Sequence, residues 1–173
     1  NMFVHPPNFT SRESHSFVSI NGQLGIIAPT IYEYLDGFSP PNLNGNGFSR
    51  IALEYEYQFS RSFGLQISGE RLGSMADFSE DYIFGFFGYS LGLRFTDWSI
   101  SVNKVLFGYS YRYDDLKEYG NDFWGFGLGW SKRFYPYKGI FIEPDITYRF
   151  SRTADYSVSI IGLFGGVNIG YRF

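Results

Sequence analysis

The chain has 173 residues, no Cys, 22% aromatic and only 18% charged residues, and a formal net charge of −3. Its length fits one domain, the lack of thiols excludes disulfide scaffolds, zinc ribbons, iron–sulfur sites and cysteine nucleophiles, and no concentrated basic face exists for nucleic acid. No run approaches the roughly 18 consecutive apolar residues of a membrane-spanning helix, so a helical membrane protein is excluded too, which leaves 20 Phe and 15 Tyr in search of a place.

From the N-terminus, Asn1-Met2-Phe3 offers neither a charged n-region nor a long apolar h-region, so the sequence reads as a mature or trimmed chain. Residues 1–15, with Pro6-Pro7, read as a lead-in without strong structure. From there a period-2 template fits in long stretches and a 3.6-residue template fails. Strands are predicted at 16–28 and 47–59; in the second, Ile51, Leu53, Tyr55, Tyr57 and Phe59 alternate with Arg50, Glu54, Glu56 and Gln58. The third, 63–72, and the fourth, 82–95, carry Glu70 and Arg94. In the fifth, 98–111, the phase set by Trp98, Ile100 and Val102 would leave Lys104 facing lipid, and a bulge near Asn103 is predicted to turn it inward, with Val105, Phe107, Tyr109 and Tyr111 outside. The sixth, 122–134, alternates Trp124, Phe126, Leu128 and Trp130 with Gly125, Gly127 and Gly129, small residues suited to a narrow interior. In the seventh, 140–150, Ile140, Ile142, Ile146, Tyr148 and Phe150 oppose Glu143, Asp145, Thr147 and Arg149. Pro144 there removes a ladder donor and marks either a second bulge or a weak point used in partner contact. The eighth, 157–173, sets Ile161, Leu163, Val167, Ile169, Tyr171 and Phe173 against Gly162, Gly166, Asn168, Gly170 and Arg172.

These strands exceed the usual five or six residues of soluble sheets and meet the roughly 9–11 that a tilted transmembrane strand needs. The connections alternate long and short, the habit of bacterial outer-membrane barrels with short periplasmic turns and longer outer loops. The predicted fold is therefore all-β: an eight-stranded antiparallel up-and-down transmembrane β-barrel over 16–173, both termini periplasmic. Tyr55, Tyr57, Phe59, Phe95, Trp98, Trp130, Phe134, Tyr171 and Phe173 fall near one set of strand ends, and Trp124, Tyr148 and Phe150 near the other. Two aromatic girdles at the membrane interfaces account for that distribution.

The last residues add a more specific likeness. Val167, Ile169, Tyr171 and Phe173 resemble the C-terminal pattern of outer-membrane barrels, in which a terminal Phe with apolar or aromatic residues at alternate positions is read by the barrel-assembly machinery. With eight strands and asymmetric loops, the whole chain resembles a small OmpA/OmpX-type barrel. That likeness implies the bacterial outer membrane, with its lipid and lipopolysaccharide as partners, the assembly machinery during insertion, and a protein partner if the barrel belongs to an envelope complex.

The inward phase collects Arg50, Glu54, Glu56, Glu70, Arg94, Arg133, Glu143, Asp145, Arg149 and Arg172. Matched charges in a narrow lumen should pair, because an unpaired buried charge is costly, and eight strands enclose about enough space for side chains to fill. A plug is expected rather than an open channel. Glu143 and Asp145, two apart on one face, could instead form an acid/base pair, but an ion network accounts for all ten residues together. Small barrels of this kind include lipid A-modifying enzymes, which commonly need a His base; His5 and His15 both precede the first strand, and no Gly-x-Ser-x-Gly or His-Glu-x-x-His motif occurs. No catalytic, cofactor or metal site is expected. Function is expected at the loops, where Tyr32, Tyr34, Tyr113, Asp114, Asp115 and Tyr119 are candidate binding residues. The resulting expectation is a non-enzymatic barrel acting through its surface, in envelope structure, adhesion or an envelope complex; the alternative is a narrow conduit for small hydrophobic or ionic solutes.

Overall fold

The computed structural model describes residues 14–31, 47–60, 62–74, 83–112, 115–119, 123–153 and 158–173. Ten strands occur in chain order: β1 (His15–Ile31), β2 (Gly47–Ser60), β3 (Phe63–Ser74), β4 (Ile83–Phe95), β5 (Trp98–Arg112), β6 (Asp115–Tyr119), β7 (Phe123–Ser131), β8 (Phe134–Tyr137), β9 (Ile140–Thr153) and β10 (Val158–Arg172). Each pairing is antiparallel, and β10 returns to lie against β1 from Phe17↔Arg172 to Ile31↔Val158, closing the sheet. Strands β7 and β8 are two parts of one wall, both paired with β9, and β6 only extends the loop end of β5. The result is a closed eight-stranded antiparallel barrel, as the alternation predicts. The short connections and both described ends lie at one rim, the turn rim; 32–46, 75–82 and 154–157 leave from the other, the loop rim.

Burial runs opposite to that of a water-soluble domain. Leu53 and Val102 are each 61% exposed on the outside, whereas Glu56 is 3% and Glu143 1% exposed inside. At the turn rim, rings pack edge to face or tilted from Tyr57 to Phe59 (4.9 Å), Phe59 to Phe63 (5.7 Å) and Phe63 to Phe95 (5.3 Å), linking two adjacent hairpins. The turn at Lys138-Gly139 requires its glycine: φ is 75°, a region open to Gly without steric cost, and a Cβ would come 2.6 Å from the Tyr171 ring.

Two expectations about strand irregularities need correction. Pro144 lies opposite Val167 on one side, and the register with the preceding wall is the same before and after it, Ser131↔Asp145 and Phe134↔Ile142. No bulge forms there. Instead the Lys132 N–H donates to the Pro144 carbonyl (3.1 Å), while proline has no N–H to return, and this missing bond is what separates β7 from β8. The β5 bulge does exist, but it comes later than Asn103: Tyr89↔Lys104 and Gly88↔Val105 are followed by Phe87↔Phe107. Because the extra residue follows Lys104, the phase of Trp98, Ile100 and Val102 carries through and Lys104 stays exposed on the outer face. A Lys on a lipid face costs about 2–4 kcal/mol at the bilayer midplane but only about 0–1 near an interface, so its height on the wall matters. The side chains of Val105, Phe107, Tyr109 and Tyr111 lie outside the described residues.

Candidate functional site

The lumen is built in layers, each following from the parity of the strands that line it. Nearest the turn rim, Phe17 and Phe141 meet edge to face at 5.8 Å, and the Arg133 guanidinium lies 4.2 and 4.3 Å from the two ring centroids. Such cation–aromatic contacts gain strength where water is excluded.

Above these rings is a four-residue charge cluster. Arg133 holds Glu56 at 2.7 Å and Glu143 at 2.9 Å. Arg94 pairs with the same two carboxylates, Glu143 closely and Glu56 at 3.6 Å. Ser131 donates a further hydrogen bond to Glu143, and the Arg94 Nε–H bonds the Thr96 carbonyl at 2.9 Å, tying the cluster to the turn. Toward the loop rim a second cluster forms around Glu70, which accepts from Arg50 at 2.7 Å and from Arg149. Arg50 also donates to Gln23 (3.0 Å) and reaches Glu54 at 3.5 Å. Phe48 and Phe164, 0% and 1% exposed, cap this layer. They flank Gly25 across three adjacent strands, where a Cβ would come 2.5 Å from the Phe164 ring.

Between the two clusters lies a belt rich in amides and hydroxyls with a cavity of about 50 Å³, lined in part by Asn21, Ser90, Ser101, Asn103, Asp145 and Asn168. Asp145 is held there by amides, Asn21 at 2.7 Å and Gln23 at 2.9 Å, and Glu54 accepts from Gln66 (3.0 Å) and Asn168 (2.9 Å). Both donors and acceptors face this chamber, whose volume suits a few water molecules. The wall opposite the long charged side chains is small: a Cβ on Gly127 would come 2.7 Å from Ser101 Oγ. Bulk from β2, β3 and β9 is thus accommodated by Gly and Ser on β5 and β7.

Of the ten charges read inward from the sequence, the ion pairs join eight: Arg50, Glu54, Glu56, Glu70, Arg94, Arg133, Glu143 and Arg149. Asp145 sits in the chamber, and the Arg172 guanidinium lies 5.5 Å from the Tyr135 ring near the turn rim. Glu143 and Asp145 both line the chamber but have separate partners, Arg94, Arg133 and Ser131 for Glu143 and the amides of Asn21 and Gln23 for Asp145. Among the described residues no group of three or more His, Cys, Asp or Glu could hold a metal ion. Tyr32, Tyr34, Tyr113 and Asp114 lie outside the described residues; Asp115 and Tyr119 begin and end β6. Val167, Ile169 and Tyr171 face outward, and the Phe173 N–H bonds the Ser16 carbonyl at 2.9 Å. The inward rings Phe17, Phe48, Phe141 and Phe164 are not among the residues that sequence reasoning singles out. Their parity is the available signal, since Phe48 shares the phase of Arg50 and Phe141 that of Glu143.

This closed barrel with a charged interior and an apolar exterior has the fold of the small eight-stranded outer-membrane proteins. No protein-family model matches the sequence, and no curated protein matches it. Solved structures do. The attachment invasion locus protein Ail of Yersinia pestis aligns over 93% of this chain and 99% of its own with a TM-score of 0.53 at 19% identity. Neisserial surface protein A aligns over 89% and 96% with a TM-score of 0.60 at 9% identity. OprG of Pseudomonas aeruginosa aligns over 94% and 97%, with a TM-score of 0.52 at 9% identity. At such identities the likeness is one of fold.

Proposed function

We propose that this chain is a bacterial outer-membrane barrel without enzymatic activity, both termini periplasmic, that acts through its loops and outer rim in adhesion, envelope structure or an envelope complex. The observation that carries this reading is the lumen, closed by two ion-paired layers and two pairs of inward phenylalanines. An exterior belt of exposed Ile, Leu, Val and aromatic residues on every wall far exceeds the few hundred Å² of contiguous apolar surface usual on soluble monomers, so its natural solvent is lipid. Lipopolysaccharide is the partner of that belt at the outer leaflet. Above Lys104, β5 leaves β7 and pairs with β6 from Gly108↔Tyr119 to Arg112↔Asp115. A hairpin thus continues the wall toward the loops and offers a firm base for contact with a protein or glycan. One protein of like fold, the attachment invasion locus protein, bears a name in keeping with a surface role.

Planar-bilayer recording tests the closed lumen: the refolded chain should give no stable conductance, and well-resolved long-lived channels would favour the conduit reading instead. Mass spectrometry of lipid A from cells with and without the protein should show identical acyl patterns, and a changed pattern would make it an enzyme.

Phe173, Tyr171, Ile169 and Val167 are proposed as the signal read by the assembly machinery. The Phe173 ring is 69% exposed and touches Tyr171 at 5.3 Å, so it contributes little to the finished barrel. Deleting Phe173 should reduce assembly in cells far more than Asn42→Ala, measured as the heat-modifiable band on gels. Equal assembly of the two variants would refute the signal.

A further inference from the structure

The ion pairs of the lumen balance, and one carboxylate is left over. Arg50, Arg94, Arg133 and Arg149 meet Glu54, Glu56, Glu70 and Glu143, so the positive and negative charges of the two clusters cancel. Among the described residues Asp145 makes no such pair. Its Oδ2 accepts from the Asn21 amide at 2.7 Å and the Gln23 amide at 2.9 Å, both neutral donors. Arg50 is held off by Gln23, which accepts from Arg50 through Oε1 (3.0 Å) and donates to Asp145 through Nε2. Arg172 branches from β10 six residues beyond Gly166, the cross-strand partner of Asp145, roughly 20 Å along the strand at about 3.3 Å per residue. The chamber thus carries one excess negative charge in a narrow lumen, where an uncompensated charge is costly.

Two buried amides turn their oxygens to the same place. Asn21 and Asn168 face each other across β1 and β10, each 4% exposed, and both line the chamber with Asp145. Their orientation is fixed by acids: Asn21 Nδ2 donates to Glu54 (3.3 Å) and Asp145, and Asn168 Nδ2 donates to Glu54 (2.9 Å). A carboxylate takes only donors, so the amide nitrogens point at the acids and the amide oxygens point away. Asn21 Oδ1, Asn168 Oδ1 and Asp145 Oδ1 are all buried, and no protein donor reaches any of them. They come from three consecutive walls, β1, β10 and β9, spaced about 4.8 Å apart.

We propose that these three oxygens form a binding site for a monovalent alkali cation inside the barrel. Hard cations take carboxylate, amide carbonyl and water oxygens, and a chamber of about 50 Å³ holds the ion with one or two waters completing its shell. One carboxylate suffices because the other two protein ligands are amides. A single positive charge cancels the excess on Asp145, whereas a divalent ion would leave the chamber positive beside Arg50, Arg94 and Arg149. The remaining unpartnered donors, Asn103 Nδ2 and Arg149 Nη1, belong to β5 and to the loop-rim side of β9 and take water, which has lone pairs to offer. An acceptor-only set carrying a spare negative charge takes a cation. The ion would tie β9, β10 and β1 together next to the seam that closes the sheet.

The test is the urea midpoint of the full refolded chain at pH 8, in sodium chloride or in choline chloride at the same ionic strength. Choline is too large for the chamber and matches the screening of sodium. With a Kd of roughly 15 mM, sodium at about 150 mM should lower the unfolding constant about tenfold relative to choline. Asp145→Asn keeps the shape of the side chain and an acceptor for both amides, and its difference between the two salts should fall below about twofold. Asn168→Ala keeps the carboxylate and removes one oxygen ligand, and it too should lose most of the sodium response. Heat-modifiability confirms that each variant is folded, and the comparison of salts on the unmodified chain needs no variant. Equal stability in sodium and choline would overturn the site and leave a proton or water to serve Asp145. A sodium response kept in full by either variant would overturn it as well, since the ion would then bind elsewhere.

Discussion

Glu143→Leu is expected to lower the stability of the folded barrel by about 3–5 kcal/mol, the cost of breaking a buried ion pair by removing one partner. Glu143 is 1% exposed and serves both Arg94 and Arg133. Without it two guanidinium groups share the single carboxylate of Glu56 inside a narrow lumen, and the Ser131 hydroxyl loses its acceptor. Neither arginine can turn to bulk water, because the cluster is closed toward the turn rim by Phe17 and Phe141 and toward the loop rim by the amide-lined belt. Urea titration of the refolded barrel, followed by tryptophan fluorescence, measures the change as a lower midpoint at unchanged slope. Converting Glu143 and Arg133 together to apolar residues of similar volume should recover much of the loss, since the pair is then removed without leaving two cations on one carboxylate. A Glu143→Leu effect below about 1 kcal/mol would mean that the lumen is hydrated enough to screen these charges.

The second large effect is at the seam. Gly166→Val is expected to destabilise by about 1–3 kcal/mol, the range for forcing volume into a packed interior. A Cβ at Gly166 would collide with the Gly22 carbonyl oxygen and come 2.7 Å from Gln23 Cα. Those are backbone atoms of β1, and they can yield only by opening the β1–β10 ladder that closes the barrel. Lipid-facing glycines provide the contrast. At Gly22 and Gly69 a Cβ would meet nothing within 4 Å, so Gly→Ala there should be neutral or add up to about 1 kcal/mol by removing backbone freedom from the unfolded chain. Urea midpoints of the three variants test the contrast, and a Gly166→Val barrel as stable as the parent would show that the seam adjusts.

Much of this molecule is local. A strand with one face toward lipid and one toward a charged lumen writes a period of two into its own residues, so Ile51 to Phe59 or Ile140 to Phe150 can be read without knowing any partner. The same parity applied to Phe48, Phe141 and Phe164 places them inside; they escape notice only because an inward aromatic contradicts the expectation of a polar lumen. The space that admits Phe164 is a glycine on a different strand, Gly25, and matching the two needs the cross-strand register.

Irregularities are less legible. Pro144 announces a missing donor, but its consequence falls on the neighbouring wall, where β7 is parted from β8 opposite it. For Lys104 the residue types call for a bulge somewhere in β5, and either side of Lys104 would fit the local pattern. The partner strand decided it. Pairing runs unbroken through Tyr89↔Lys104, so the extra residue comes after Lys104 and the cation is left on the outside.

The sequence by itself determined the all-β class, the eight walls and, Lys104 apart, which side of each wall its residues face, because each follows from alternation along a single strand. Only the tertiary structure decided which charges meet. Arg133 and Glu56 are separated by 77 residues, and Asn168 and Glu54 by 114; their contacts depend on the stagger that accumulates strand by strand around the barrel and is fixed where β10 closes on β1. The physical reason is that parity is a property of one strand, whereas height in the lumen is a property of the closed ring.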